Sequence, residues 1–149
     1  MRIISYNVNG IRAAFTKDFI GWLNVANPDV ICIQESKAGN DQIDIESFEN
    51  IGYHSYWHSA VKKGYSGVGI ASKIQPNHVE FGCGIENYDS EGRIIRADFD
   101  DFSVISVYVP SASNIDRLDF KMQFCYDFLA YIRELRKTIP NLIISGDFN

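Results

Sequence analysis

Four side chains with carboxylate or amide groups stand where predicted strands end. Asn7 and Glu35 close two apolar runs near the start of the chain, and Asp147 and Asn149 follow the last apolar run. Open α/β sheets bind ligands at the carboxyl ends of their strands, so we expect these side chains along one rim. Carboxylate and amide oxygens suit Mg²⁺, which takes one or two carboxylates together with waters and substrate phosphate. They do not suit zinc.

A purely structural explanation competes with this one, because Asn and Asp also favour turns and helix caps. Taken singly, each of the four residues supports function and capping about equally. The histidines offer no better metal site, since they lack ligand spacing with the cysteines and are expected at solvent-facing strand positions. They are His54, His58 and His78.

Three further segments could contact phosphate. Tyr108 ends a predicted strand and could donate its O–H to a phosphate oxygen, or it could be an ordinary strand residue. Residues 62–69 (KKGYSGVG) combine two lysines with backbone amides beside glycines, which suits a phosphate contact and equally a hairpin turn. Residues 91–93 (EGR) predict a turn with a surface ion pair. Phosphate-binding loops of the G-x-x-x-x-G-K type, dinucleotide motifs and G-x-S-x-G are absent.

Composition indicates a globular domain or a piece of a larger one, with 149 residues, 46% hydrophobic and 22% charged. Residues 1–75 carry 7 basic and 7 acidic side chains, and residues 76–149 carry 7 and 12, so the second half supplies the whole net charge of −5. A nucleic-acid partner would therefore need a local basic patch or a bound cation. We expect no membrane span and no signal peptide. The three cysteines are expected to be buried free thiols, as in a reducing cytoplasm.

Hydrophobic periodicity predicts the elements. A helix is expected over 15–27 and a longer one over 116–137. The longer helix has a core stripe of Leu118, Met122, Cys125, Leu129 and Ile132, widened by Phe128 and Leu135. Strands are expected over 3–7, 29–35, 53–60, 68–73, 78–82, 94–100, 103–109 and 142–145. This order favours an α/β fold, a mixed sheet with helices on one face, in which the first, second and last strands are parallel. The other apolar face has no visible cover, so we expect the 149 residues to be part of a larger functional unit.

Six segments in this order resemble one known family. They are SYNVNGIRA (5–13), IQESK (33–37), GYSGVGI (64–70), EGR (91–93), VYVPS (107–111) and SGDFN (145–149). The resemblance is to the exodeoxyribonuclease III / apurinic-apyrimidinic endonuclease family of the endonuclease/exonuclease/phosphatase superfamily, and it extends over the whole chain. The Asn, Q-E and G-D-x-N elements are typical of the superfamily, whereas NGIRA, GYSGVGI and YVPS are typical of its DNA-repair branch.

The resemblance implies a DNase I-like, four-layer α/β sandwich made of two similar halves. Residues 1–149 would be the N-terminal portion of that single domain. It also implies Mg²⁺-dependent phosphodiester hydrolysis in double-stranded DNA, at abasic sites or 3′ ends, with Mn²⁺ as a possible substitute. The complete enzyme is expected to be a cytoplasmic monomer without membrane association.

The family's functional positions map onto this sequence one by one. Glu35 matches the principal metal carboxylate, and Asn7 matches the amide that orients the metal and the catalytic Asp. Asp147 matches the Asp that positions and activates the attacking water, and Asn149 the amide that holds this Asp and a phosphate oxygen. Tyr108 matches the tyrosine that bonds the scissile phosphate. The positions that match contacts to the DNA backbone are Asn9, Arg12, Tyr65 and Arg93.

The sequence departs from the family in two respects. Ser111 and Asn114 stand where many members have Asn and some have Arg, in a loop one residue shorter. The family's second half, which supplies a further Asp and a terminal Asp-His pair, is absent, so these residues alone are expected to be inactive. Two other functions remain open: a phosphatase acting on a small phosphoester, and a non-catalytic DNA-binding or scaffold module.

Overall fold

The computed structural model describes all 149 residues and contains two four-stranded sheets. The first has the order β1 (Ile3–Asn7), β2 (Val30–Gln34), β4 (Val68–Ser72) and β3 (His54–His58). The second has the order β5 (His78–Phe81), β6 (Ile94–Asp98), β7 (Ser103–Tyr108) and β8 (Leu142–Asp147). Both sheets are mixed: β1 and β2 are parallel, β7 and β8 are parallel, and the other pairs are antiparallel.

The two sheets pack face to face. Alternate residues of a strand point to opposite faces, so Val30 and Cys32 of β2 lie between the sheets, while Ile31 and Ile33 face outward. The apolar contact between the sheets is made by Val30, Cys32, Val68, Ile70, Ile95, Ala97 and Val104. Each sheet therefore covers the other's inner face. The expectation of one sheet with an uncovered apolar face was wrong.

Helices form the two outer layers. Against the first sheet lie α1 (Ile11–Thr16), α2 (Phe19–Ala26) and α3 (Ile45–Asn50), which bury Phe19, Leu23 and Phe48. Against the second lie α4 (Glu86–Asp89) and α5 (Ile115–Leu135). Residues 40–42 form a single 3₁₀ turn. The result is helix, sheet, sheet, helix, which confirms the predicted four-layer sandwich but places helices on both sides.

The helix predicted over 15–27 is two helices. Asp18 adopts a left-handed backbone with φ of 59° and accepts a hydrogen bond from the Gly21 amide, so it caps a new helix at that point. Asn27, with φ of 53°, ends α2. An aspartate that bonds nearby amides competes with helix continuation, and the apolar spacing alone does not register this competition.

The apolar stripe predicted for α5 is buried only in part, at Ile132, Phe128 and Leu135. Phe124 and Ile132 are buried against the second sheet, with Phe120, Phe128 and Leu135 beside them. Most of the predicted stripe is exposed instead: Leu118, Met122, Cys125 and Leu129. The helix thus has two apolar faces, only one of which is covered. Of the three cysteines, Cys32 alone is fully buried.

One side of the sandwich ends in two open strands. β1 is an edge of the first sheet, β8 is an edge of the second, and the two lie next to each other. Tyr6 on β1 and Ile143 and Ile144 on β8 are exposed. None of the helices combines the length and the apolar character that crossing a membrane requires.

Candidate active site

The carboxyl ends of four strands meet at one edge of the sandwich. Asn7 ends β1, Glu35 follows β2, Tyr108 ends β7 and Asp147 ends β8. The sequence predicted a common rim for the first, second and last strands. The rim exists, but β8 belongs to the second sheet, beside β7, and not to the sheet of β1 and β2. The candidate site therefore draws residues from both sheets.

Asn7 and Asp147 are in direct contact across the two sheets. The Nδ2 of Asn7 donates to Oδ2 of Asp147 over 2.7 Å. Oδ1 of Asn7 accepts from the Asn9 amide over 2.9 Å, and Oδ1 of Asp147 accepts from the Asn149 amide over 3.0 Å. Both polar atoms of the Asn7 amide and both oxygens of the Asp147 carboxylate are thereby hydrogen-bonded. The Asp147 carboxylate is fixed in orientation, as a group that positions water must be.

Glu35 and Tyr108 form the second contact between the sheets. Tyr108 donates its O–H to Oε1 of Glu35 over 2.9 Å. Burial, and after it the hydrogen bond to Glu35, raise the pKa of Tyr108 to about 12, so the phenol keeps its proton at neutral pH. Glu35 has a left-handed backbone with φ of 60°, which turns its side chain out of the line of β2. The Tyr108 hydroxyl is therefore a fixed donor beside the carboxylate.

The donor set suits a hard divalent cation. The Glu35 side chain is 19% exposed, and Tyr108 bonds only its Oε1, which leaves Oε2 without a hydrogen-bond partner. No group of three or more His, Cys, Asp or Glu side chains is placed to hold a metal ion. Mg²⁺ keeps several waters and takes only one or two carboxylates, so the carboxylate and amide oxygens at this rim suit it. Asn7, Glu35 and Asp147 are the residues that could hold it.

Asn149 contributes through its backbone. Its amide nitrogen donates to Asp147, whereas its side-chain Nδ2 donates to the Val109 carbonyl over 2.8 Å. The amide side chain thus links the end of β8 to the segment after β7. In this structure the Asp147 carboxylate is held by the Asn149 main chain and not by its side chain.

Arg93 lies inside the protein. Its side chain is 3% exposed, and its guanidinium stacks between the rings of Tyr65 and Tyr108, 5.5 and 4.9 Å from their centroids. It donates to the Tyr65 hydroxyl over 2.9 Å and to Glu91 over 3.2 Å. The expectation that Arg93 contacts the DNA backbone requires an exposed guanidinium, and this one is enclosed. The ion pair predicted at the surface is buried.

Sequence reasoning gave no role to Arg117, which joins this cluster. Its Nη2 lies 3.0 Å from Glu91 Oε1 and 3.3 Å from the Tyr65 hydroxyl, and its side chain is 29% exposed. Its position in the first turn of α5 carried no signal in the sequence, because its partner Glu91 precedes it by 26 residues. Arg93 and Arg117 both form an ion pair with Glu91, and Arg117 is the more exposed of the two.

The remaining candidates surround Lys37, a second residue without a predicted role. Lys37 Nζ donates to Asn9 Oδ1 over 2.7 Å and lies 4.0 Å from Glu35 Oε1. Arg12 Nη2 donates to the Lys37 carbonyl over 2.9 Å. Asn9 and Arg12 are exposed, so both can reach a ligand at the rim. A local basic patch of Arg12 and Lys37 thus lies beside the acidic site despite the net charge of −5.

Comparisons with known proteins show what the chain is similar to. The model of the Endonuclease/Exonuclease/phosphatase family matches residues 4–149. An exodeoxyribonuclease of Bacillus subtilis (strain 168) is 43% identical over 100% of this chain and 58% of its own length. The DNA repair nuclease APEX1 of Danio rerio is 40% identical over 100% of this chain and 49% of its own. The chain thus spans about half the length of these curated relatives.

A solved structure confirms the fold. An AP endonuclease from Archaeoglobus fulgidus superposes with a TM-score of 0.87 at 35% identity, over 99% of this chain and 57% of that protein. The resemblance predicted from the six sequence segments is confirmed by these relatives. Since the family model matches nearly every residue, the chain belongs to the endonuclease/exonuclease/phosphatase family.

Proposed function

We propose that the full-length protein, meaning the product of the complete reading frame that contains this chain, is a Mg²⁺-dependent DNA repair nuclease. It hydrolyses phosphodiester bonds at abasic sites or 3′ ends of double-stranded DNA. The observation that carries this proposal is the pair of contacts between the sheets, Asn7 with Asp147 and Glu35 with Tyr108. Relatives named as an exodeoxyribonuclease and a DNA repair nuclease support it.

The proposed reaction is an in-line attack of water on phosphorus that leaves a 3′-hydroxyl. Asp147, held by Asn7 and by the Asn149 amide, orients the water and accepts its proton. Tyr108 keeps its proton, and when its O–H turns from Glu35 to the substrate it donates to a non-bridging phosphate oxygen as charge develops there. Mg²⁺ held by Glu35 would offset charge on the phosphate and on the leaving oxygen.

The DNA backbone would lie across the basic side of the rim. Arg12 and Asn9 are exposed beside Lys37, and Tyr65 and Arg117 border the site on the side of α5. Contacts of lysine, arginine and amide side chains to phosphate position a duplex without reading its sequence. Such contacts suit an enzyme that acts on backbone bonds regardless of sequence.

The remainder of the full-length protein would complete both sheets. The chain covers 58% of the Bacillus exodeoxyribonuclease, and β1 and β8 present open edges side by side. The exposed stripe of α5 (Leu118, Met122, Cys125, Leu129) supplies apolar surface for that remainder to bury. We therefore propose that residues 1–149 are the N-terminal portion of one domain and are inactive alone. The complete enzyme would act as a monomer in the cytoplasm.

Incision of a labelled duplex with one abasic site tests the proposal. Full-length protein should cleave it with Mg²⁺ and not with EDTA, and Glu35→Ala should abolish cleavage. Asp101→Ala is the matched control, because it removes an exposed carboxylate at the opposite end of β7 from Tyr108. No incision by folded full-length protein, or incision that survives Glu35→Ala, contradicts the nuclease proposal. Turnover of a soluble phosphomonoester without DNA incision would indicate a phosphatase, and DNA binding without any cleavage a non-catalytic module.

A further inference from the structure

The layer between the two sheets changes character along the strands. At one end it is apolar, formed by residues such as Val30, Ile70 and Val104. Directly below the candidate site it is polar, and four inward-facing side chains make up this polar layer: Ser5, Gln34, Ser106 and Ser145. Each of these residues stands one or two positions before a residue of the site on its own strand.

Gln34 is the centre of the polar layer. It is 1% exposed, and its Nε2 donates to the Ser106 hydroxyl over 3.0 Å. Ser106 is fully buried and donates in turn to the Ile33 carbonyl over 3.1 Å. The Ser5 hydroxyl donates to Oε1 of Gln34 over 3.4 Å. A buried amide is costly unless it is hydrogen-bonded, so an apolar side chain would serve better here if packing were the whole purpose.

The bond between Gln34 and Ser106 lies next to the candidate site. Gln34 immediately precedes Glu35, and Ser106 lies two residues before Tyr108 on β7. The bond between Gln34 and Ser106 therefore joins the same two strands as the bond between Glu35 and Tyr108, just before it along both strands. Apolar contacts hold the sheets together without fixing how one slides over the other. A hydrogen bond is directional and tolerates little displacement.

We propose that Gln34 is a positioning residue, whose bond to Ser106 fixes the alignment of the two sheets so that Glu35 and Tyr108 meet. This role rests on the proposed nuclease function, since it concerns the geometry of that site. It acts through Tyr108 and Glu35, and Gln34 itself touches neither substrate nor metal.

Gln34→Met in the full-length protein is the decisive variant. Methionine has a similar volume, and Ser106 keeps its own acceptor at Ile33. The Ser5 hydroxyl loses Gln34 Oε1 as an acceptor, but Ser5 is exposed at the edge strand β1 and can bond to water. We expect kcat for incision to fall roughly 10- to 100-fold with KM little changed, because a displacement of catalytic groups by about 1 Å lowers the rate by up to this factor. Ile70→Val is the control: it loosens the apolar part of the same layer and should lower the melting temperature without lowering kcat.

A double-mutant comparison separates positioning from general damage. If Gln34 acts through Tyr108, then Gln34→Met should reduce kcat little further in a Tyr108→Phe background. If the two effects multiply, or if folded Gln34→Met has wild-type kcat, the proposal is overturned. Ser106→Ala breaks the same bond from the other sheet and should reproduce the fall in kcat, which covers the case of a Gln34→Met protein that does not fold.

A structural measurement keeps this test distinct from that of the proposed function. If wild-type full-length protein cleaves no DNA, the nuclease proposal fails, and crystal structures of wild type and Gln34→Met decide the positioning role. A lengthened distance between Tyr108 Oη and Glu35 Oε1 supports it. An unchanged distance of about 2.9 Å contradicts it.

Discussion

Asn7 and Asp147 are hydrogen-bonded over 2.7 Å although 140 positions separate them in the chain. They belong to edge strands of different sheets, so their contact forms only when both sheets have folded and packed. Two such contacts between the sheets hold four site residues in place: Asn7 with Asp147, and Glu35 with Tyr108. The site is therefore a property of how the sheets are aligned, more than of any single loop.

Asn7→Ala should lower the incision rate of the full-length protein roughly 100-fold, because Asp147 would lose the donor that orients it. Single-turnover kinetics on an abasic duplex measures this directly. Asn87→Ala, which removes an exposed amide from α4, is a suitable control. A wild-type single-turnover rate for Asn7→Ala would show that Asp147 needs no such support.

Tyr108→Phe removes one hydroxyl and leaves the ring in place between the sheets. Loss of a single donor to developing charge typically costs roughly 10²–10³ in kcat, and we expect a loss in that range. Tyr126→Phe, on the exposed face of α5, should leave the rate unchanged. A Tyr108→Phe enzyme within about twofold of wild type would contradict the role given to the phenol.

The burial of Arg93 makes a prediction about DNA binding. Removing a cation that contacts phosphate weakens binding to all sequences and reduces the salt slope by about 1. We expect this for Arg12→Ala, whose guanidinium is exposed, and no change of slope for Arg93→Met. Binding of full-length protein to a duplex across a range of salt concentrations, with EDTA present, provides the two slopes.

The free energy of unfolding should respond to the same two substitutions in the reverse order, with a large effect for Arg93→Met and a small one for Arg12→Ala. Breaking a buried ion pair costs about 3 kcal/mol or more, and Arg93 with its partner Glu91 is largely buried. Arg93→Met should therefore lower the free energy of unfolding by about this amount, and Arg12→Ala should leave it nearly unchanged. A reduced salt slope for Arg93→Met with unaltered stability would place the guanidinium at the DNA after all.

Local patterns predicted the strands well and the layers poorly. All eight strands occur close to their expected ranges, because alternation and continuous apolar runs are recorded in neighbouring residues. The assignment of β8 to the second sheet depends on its pairing with β7, in which Ser103 lies opposite Leu142 and Tyr108 opposite Asp147, and no local pattern records contacts so distant in the chain. The Gln34–Ser106 bond joins residues 72 positions apart, so local patterns do not predict it either.

The helix α5 shows why periodicity can select the wrong face. Leu118, Met122 and Leu129 repeat at helical spacing as regularly as Phe120, Phe124 and Phe128 do. Packing against the second sheet selects the phenylalanine face, and the other face stays exposed. A helix with two apolar faces indicates a second contact surface, and the sequence alone does not say which face meets which partner.

The exposed face of α5 should govern the behaviour of residues 1–149 expressed alone. Large exposed apolar patches beside open strand edges favour association. We expect this polypeptide to self-associate in a concentration-dependent way and to lack incision activity. Light scattering over a concentration series measures the first expectation. Leu118→Lys/Met122→Glu should shift the protein toward monomer, and a monodisperse, active wild-type polypeptide would contradict both expectations.

Far from the site, Asp98 should make stability depend on pH. Burial alone would raise the pKa of this carboxyl, but hydrogen bonds from Arg96, over 2.8 and 3.0 Å, and from Ser103, over 2.6 Å, outweigh it and lower the pKa below its usual value of 3.8. A lowered pKa means that the ionised carboxylate stabilises the folded state. This stabilisation is complete above the ordinary pKa of 3.8, which the unfolded state keeps, and is lost as pH falls through the lower folded pKa.

Asp98→Asn should accordingly lower the free energy of unfolding by about 2 kcal/mol at pH 7, since charged hydrogen bonds to Arg96 are lost. The difference from wild type should stay constant down to about pH 4 and shrink below it, because wild-type Asp98 then becomes protonated as well. Urea unfolding of the full-length protein at pH 7, 5 and 3 measures the three values. Asp101→Asn, which changes an exposed carboxylate in the turn that follows β6, should differ little from wild type at each pH. A penalty for Asp98→Asn that stays constant to pH 3 would mean that the Asp98 charge contributes nothing, and that the loss comes from altered packing around Arg96 alone.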